Sequence, residues 1–142
     1  MQQPDPLPRG RVLRLQHITR DMVQADRNTV FCFGDNMTGR GFGGQAGAMR
    51  GEPNTIGVPT KWKPERGESA YFTDDDLWDG DVRHALRHAF HQMLLALEAG
   101  RNVVIPADGL GTGLAELPKR APKINAAIET AIASLSAHGI EQ

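Results

Sequence analysis

The chain has 142 residues, 39% hydrophobic and 23% charged, the composition of a soluble globular domain with room for one core and not two. Sixteen lysines and arginines against seventeen acids give a formal net charge of −1, so no global field draws the chain to nucleic acid or to an anionic membrane, and binding there would need a local patch. The lone cysteine, Cys32, excludes an internal disulfide or a multi-thiolate metal site and fits a reducing compartment.

In chain order, residues 1–10 hold three of the nine prolines and read as a loose tail, leaving residues 11–142 as a single domain. The opening MQQPDPLPRGR carries no apolar run, and no 18-residue apolar stretch occurs anywhere, so neither a signal peptide nor a membrane partner is expected and the location reads as cytoplasmic. Arg11–Gln16 alternates like a half-buried strand, and Thr29–Gly34 is a continuous apolar run like a fully buried one. Gln45–Arg50 reads as a short helix, and Thr55–Thr60 as a third strand. Val82, Leu86, Phe90, Met93, Leu94 and Leu97 then mark one face of a long helix, preceded by the acids Asp74–Asp76 and ended at Gly100. Asn102–Ala107 is a fourth strand, and Ile124, Ala127, Ile128, Ala131, Ile132 and Leu135 form a closing amphipathic helix. Strands alternating with helices argue for an α/β sheet covered on both faces, with ligands beyond the carboxyl ends of its strands.

Two glycine-rich segments sit at such ends. Phe33–Met49 (FGDNMTGRGFGGQAGAM) holds six glycines after the second strand, and Asp108–Gly113 (DGLGTG) follows the fourth. Bare backbone admits a ligand closely, and its N–H groups suit phosphate. One such cluster is equally well a surface turn. Two facing one crevice point to a nucleotide with at least a diphosphate. Gly39, Gly41 and Gly44 match G-x-G-x-x-G only formally, because Gly39 stands five positions after Gly34 and the tight strand-to-helix turn is missing. Gly109–Gly113 lacks the Gly-Lys-Ser/Thr ending of a triphosphate-binding loop.

These residues, in this order, resemble the macrodomains, which bind ADP-ribose and related nucleotides. Gln16-His17-Ile18-Thr19 stands where that family carries Gly-Asp-Ile-Thr. Gly34, Asp35 and Asn36, followed by Gly41, Gly43, Gly44, Gln45 and Ala46, resemble its asparagine and first glycine loop. Ile105–Pro118, with Gly109, Leu110, Gly111, Thr112, Gly113 and Leu114, resembles its diphosphate loop. Thr60-Lys61 before a long helix, then Gly111–Leu114, is most similar to the branch containing the terminal ADP-ribose protein glycohydrolase. The resemblance covers residues 11 to 135. It implies a macrodomain-like three-layer α/β/α sandwich with a mixed central sheet, and an ADP-ribose-like nucleotide as ligand, carried on a protein or nucleic acid. It also implies ligand contacts from the residues named and no cofactor.

In that branch a lysine and an aspartate carry the chemistry, and the lysine corresponds to Lys61. Cleaving an ADP-ribosyl linkage develops oxocarbenium character at the distal ribose, so a nucleophile and an acid or base belong near that carbon. A lysine half-buried beside glycine backbone can lose its proton and attack as an amine, although an isolated strand-end lysine is more often simply solvated. The aspartate position holds Ala115, which makes Glu116 and Asp108 the candidate acids. His17 replaces an adenine-contacting aspartate and offers stacking or a different hydrogen bond. The alternative to an enzyme is a non-catalytic module that sequesters the nucleotide or reads modified targets.

Two further patterns need weighing. His84 and His88 have the i, i+4 spacing of zinc ligands, but they lie opposite the apolar stripe and His91 stands ~10 Å from His84 along the helix. A solvated face is the expectation, with no metal. Lys61–Trp78 is long for a connection and carries both tryptophans and the only tyrosine. It either folds over the ligand or is pinned to the core by Tyr71, Phe72 and Trp78.

Overall fold

The computed structural model describes residues 9–139. The expected loose tail falls on residues 1–8, outside that range, and on its last two residues, of which Gly10 is part of the packed domain. Its N–H donates to the Leu97 carbonyl at 2.9 Å, and a Cβ there would lie 1.8 Å from the Arg101 carbonyl oxygen.

Four strands, β1 (Val12–Leu15), β2 (Val30–Asn36), β3 (Thr55–Lys61) and β4 (Val103–Pro106), form one sheet in the order β1-β4-β2-β3. All pairings between these strands are parallel, which corrects the mixed sheet implied by the resemblance. Between successive strands lie α1 (Arg20–Ala25), α2 (Ala46–Met49) and α3 (Gly80–Glu98). Each crossover returns the chain to the end of the sheet at which the preceding strand began, so every strand runs the same way. After β4 come α4 (Leu117–Arg120) and α5 (Pro122–Gly139).

The sheet is covered on both faces, as the apolar run of β2 requires. Val30 and Cys32 of β2, with Val103 and Ile105 of β4, join Val82, Leu86, Met93 and Leu97 of α3 and Ile124, Ile128 and Ile132 of α5 in one core. The alternate residues Phe31, Phe33 and Val104 join Val23 of α1 and Ala46 and Met49 of α2 in a second. Burial pushes the Cys32 thiol well above its ordinary value, which leaves it an inert apolar filler.

The long helix starts at Gly80, where the Asp79 carboxylate accepts from the N–H groups of Asp81 and Val82. The acids Asp74–Asp76 do not enter its first turn; they belong to a separate 3₁₀ turn, Asp74–Trp78, closed by a Thr73–Asp76 capping box. His84, His88 and His91 are exposed, and no group of metal-ligating side chains occurs among the described residues. No helix among them is long and apolar enough to cross a membrane.

The helix α1 is too short to leave a sequence period, and a partly exposed charge cluster fastens it. The Glu52 carboxylate accepts from Arg20 at 2.6 Å and Gln24 at 3.0 Å, and pairs with Arg27 at 2.9 Å. These partners, Arg20 first, hold its carboxyl at about 2, below its ordinary value of 4.5. A carboxyl depressed on folding stabilises above its unfolded value and loses that contribution as pH falls through the folded one. Urea unfolding of Glu52→Gln should therefore show a deficit against the wild type at pH 6 that closes between pH 4.5 and pH 2. A deficit unchanged across that range would show that the carboxylate's charge is not what fastens α1.

A candidate ligand cleft at the strand ends

The crevice is set by topology. After β2 the chain turns to α2 on one face of the sheet, and after β4, its neighbour, it turns to α5 on the other. Between strands whose connections part in this way a gap opens at the carboxyl ends, the usual ligand position in a parallel sheet. Both glycine loops border that gap.

The first loop is folded by side chains from its own ends. Arg50, just after α2, donates through Nε to the Gly41 carbonyl at 2.6 Å and through its guanidinium to the Gly39 carbonyl at 2.8 Å. The same guanidinium pairs with the Asp35 carboxylate and lies 5.4 Å from the Phe33 ring centroid. Asn36 donates to the Arg40 carbonyl at 2.7 Å and accepts from the Thr38 N–H and hydroxyl. The polar atoms of Asp35 and Asn36, expected to face a ligand, are therefore engaged in shaping the loop. Arg50 is a residue that sequence reasoning missed, because its bonds span 9 to 15 positions and leave no local pattern.

Gln45 ties the two loops together. Its Oε1 accepts from the Gly34 N–H at 2.8 Å, and its Nε2 donates to the Gly109 carbonyl at 3.1 Å. The loops also touch directly: a Cβ on Gly34 would lie 2.9 Å from the Gly111 nitrogen, and one on Gly111, at φ +77°, would lie 2.7 Å from the Thr60 Cβ. At Gly111 only glycine satisfies both the left-handed backbone and the close approach. Leu114, 57% exposed, reaches over Gly43 and Gly44, while Leu110 is fully buried in the core and contacts no cleft.

Two cavities flank Gln45. The first, of about 160 Å³, lies over the ends of β2 and β3 and is lined by Gly34, Asp35, Asn36, Gly41, Gly43, Gly44, Ala46, Thr60, Lys61, Gly111, Gly113, Leu114 and Ala115, with Arg40 and Arg50. The second, of about 280 Å³, lies over the ends of β1 and β4 and is lined by Gln16, His17, Ile18, Met49 and Asp108 among others. Gln45 borders both. Of the candidate catalytic residues, Lys61 is in the first cavity and Asp108, exposed, is in the second. Glu116 lines neither; it takes a left-handed backbone, φ 49°, and its carboxylate lies 3.6 Å from Arg120 Nε. Thr112 is exposed and borders neither cavity.

Lys61 is only 8% exposed. Its Nζ donates to the Glu65 carbonyl at 2.7 Å and lies 4.3 Å from the Tyr71 ring centroid. Burial, then the nearby Arg120 charge, lowers its pKa below the ordinary lysine value. The long connection after β3 is pinned and does not arch freely: Tyr71 and Phe72 are buried, and Trp62 meets Phe72 edge-on at 5.3 Å. Trp78 stays 70% exposed, with Arg83 over its ring.

Neither a curated protein nor a solved structure matches the chain. A model of the family of unknown function DUF7831 matches residues 13–131, from β1 into α5, and the chain belongs to that family.

Proposed function

We propose that the cleft binds ADP-ribose or a closely related nucleotide, and that Lys61 cleaves an ADP-ribosyl linkage on a modified macromolecule. In this reading the domain is macrodomain-like and nearest the terminal ADP-ribose protein glycohydrolase branch. The observation that carries it is the pair of cavities on either side of Gln45, with bare glycine backbone between them. A two-ended nucleotide fits that layout, its diphosphate on the glycine N–H groups and one end in each cavity. The His17 cavity then takes the base and the Lys61 cavity takes the distal ribose.

The chemistry follows from what lines the second of these subsites. A neutral Lys61 amine attacks the anomeric carbon of the ribose, the carbon–oxygen bond to the carrier breaks, and its electron pair leaves with the carrier. The nitrogen gives its extra proton to solvent, and the ribosylamine opens to an imine. Water hydrolyses that imine, which restores the amine and frees ADP-ribose. The carboxylate that lines this cavity, Asp35, is paired with Arg50, and Ala115 presents a methyl group where the acid was expected. The leaving group must depart without a proton, as the carboxylate of an aspartyl or glutamyl ester can.

The second reading, a non-catalytic nucleotide binder, is favoured by the same Ala115 and by the separation of Asp108 from Lys61. Both readings require the cradle. Calorimetric titration with ADP-ribose and with adenosine tests it, because only the first carries the diphosphate.

A further inference from the structure

Tyr71 is held beside Lys61 by an isolated antiparallel bridge and by the Trp62 N–H bonded to the Ala70 carbonyl at 2.8 Å. Its ring serves two cations. Lys61 Nζ lies 4.3 Å from the ring centroid and the Arg120 guanidinium carbon lies 3.8 Å from it. Arg120 closes α4, immediately after the second glycine loop, and is anchored by Glu68 at 2.9 Å. Its Nε is enclosed without a hydrogen-bond partner, the Glu116 carboxylate standing off at 3.6 Å.

We propose that Arg120 is a positioning residue for Lys61, acting across the ring of Tyr71. Two like charges sharing one aromatic ring repel, and the arrangement relaxes when one of them is neutral. A guanidinium does not lose its proton, and the bond to Glu68 fixes its charge further. Lys61 is therefore the partner that becomes neutral. The other groups around it divide in sign. Glu65 and Glu116 favour its charged form, Arg66 opposes it, and Asp35 at the neighbouring strand end is already paired with Arg50. An amine that must lose its proton in a cavity whose carboxylate is already paired with Arg50 has, in Arg120, a fixed charge that favours its neutral form. α4 and the second glycine loop thus set the state of a residue on β3.

The consequence for turnover rests on Lys61 being the nucleophile, but the charge state of its amine can be measured without any ligand. Competitive acetylation of the full chain with acetic anhydride, followed residue by residue by mass spectrometry from pH 6 to pH 10, reads the neutral fraction of Lys61. Arg120→Gln should slow Lys61 labelling at pH 7.5 about three- to tenfold, because without the neighbouring like charge the amine holds its proton to higher pH. Arg120→Lys should restore most of the rate, and Glu116→Gln should raise it. Labelling of exposed Lys63 should not move in any variant. If Arg120→Gln leaves the profile of Lys61 unchanged, or if Glu116→Gln slows it, the proposal is wrong. A failure to release ADP-ribose despite these shifts would count against the glycohydrolase reading alone.

Discussion

Lys61→Ala is expected to stop the release of ADP-ribose from aspartyl- or glutamyl-linked protein, with a loss of about a thousandfold or more, while ADP-ribose binding stays within about tenfold. The reason lies in how the site is divided. Lys61 lines one cavity, whereas the backbone groups available to the diphosphate belong to the glycine loops. Removing the amine deletes the nucleophile and leaves the cradle intact. Its side chain makes no ion pair among the described residues, so its loss strands no buried carboxylate. In the unmodified protein, borohydride added during turnover should trap a covalent adduct at Lys61, and the variant should yield none. Full activity in Lys61→Ala would eliminate the nucleophile. Absence of turnover in the unmodified protein, with nucleotide binding retained, would establish the binder.

Gly113→Val should abolish ADP-ribose binding, with a loss of about a hundredfold or more, ~2.7 kcal/mol. Gly113 lines the first cavity, and a Cβ built on it meets no atom within 4 Å. The added side chain therefore occupies ligand space without straining the fold, and unchanged thermal unfolding should accompany the lost affinity. Gly111 cannot serve this purpose, because its Cβ would strike Thr60 and Leu117 and its φ is +77°. Gly67 is equally unobstructed but borders neither cavity, so Gly67→Val should bind like the wild type. A folded Gly113→Val protein with undiminished affinity would remove the second loop from the site.

The parts legible in the sequence were those written as local period and punctuation. β1 to β4 and α3 fall within a residue or two of their expected spans, and both glycine segments stand at strand ends, because apolar runs, helical spacing and Gly100 are local signals. The direction and order of the strands are not local. Lys61 ends β3 and Asp108 follows β4, yet β2 lies between those strands, and two strand spacings of ~4.8 Å put the two residues in different cavities. Gln45, expected at the ligand, borders both cavities, and its amide joins the two loops, a role set by partners 11 and 64 positions away. Arg50 and Arg120 carried no signal at all, since each acts on residues brought near only by folding. α1 escaped for a related reason: beyond its Thr19 cap, its six residues are too few for a period and are fastened by Glu52 from beyond α2.

The central claim is that the two joined glycine loops form a cradle for a nucleotide diphosphate, and isothermal titration calorimetry of the unmodified protein tests it most directly. ADP-ribose should bind with one-to-one stoichiometry, and adenosine should bind at least about a hundredfold more weakly, since it offers nothing to the backbone N–H groups between the cavities. Equal affinities for the two, or no heat from either, would contradict the account.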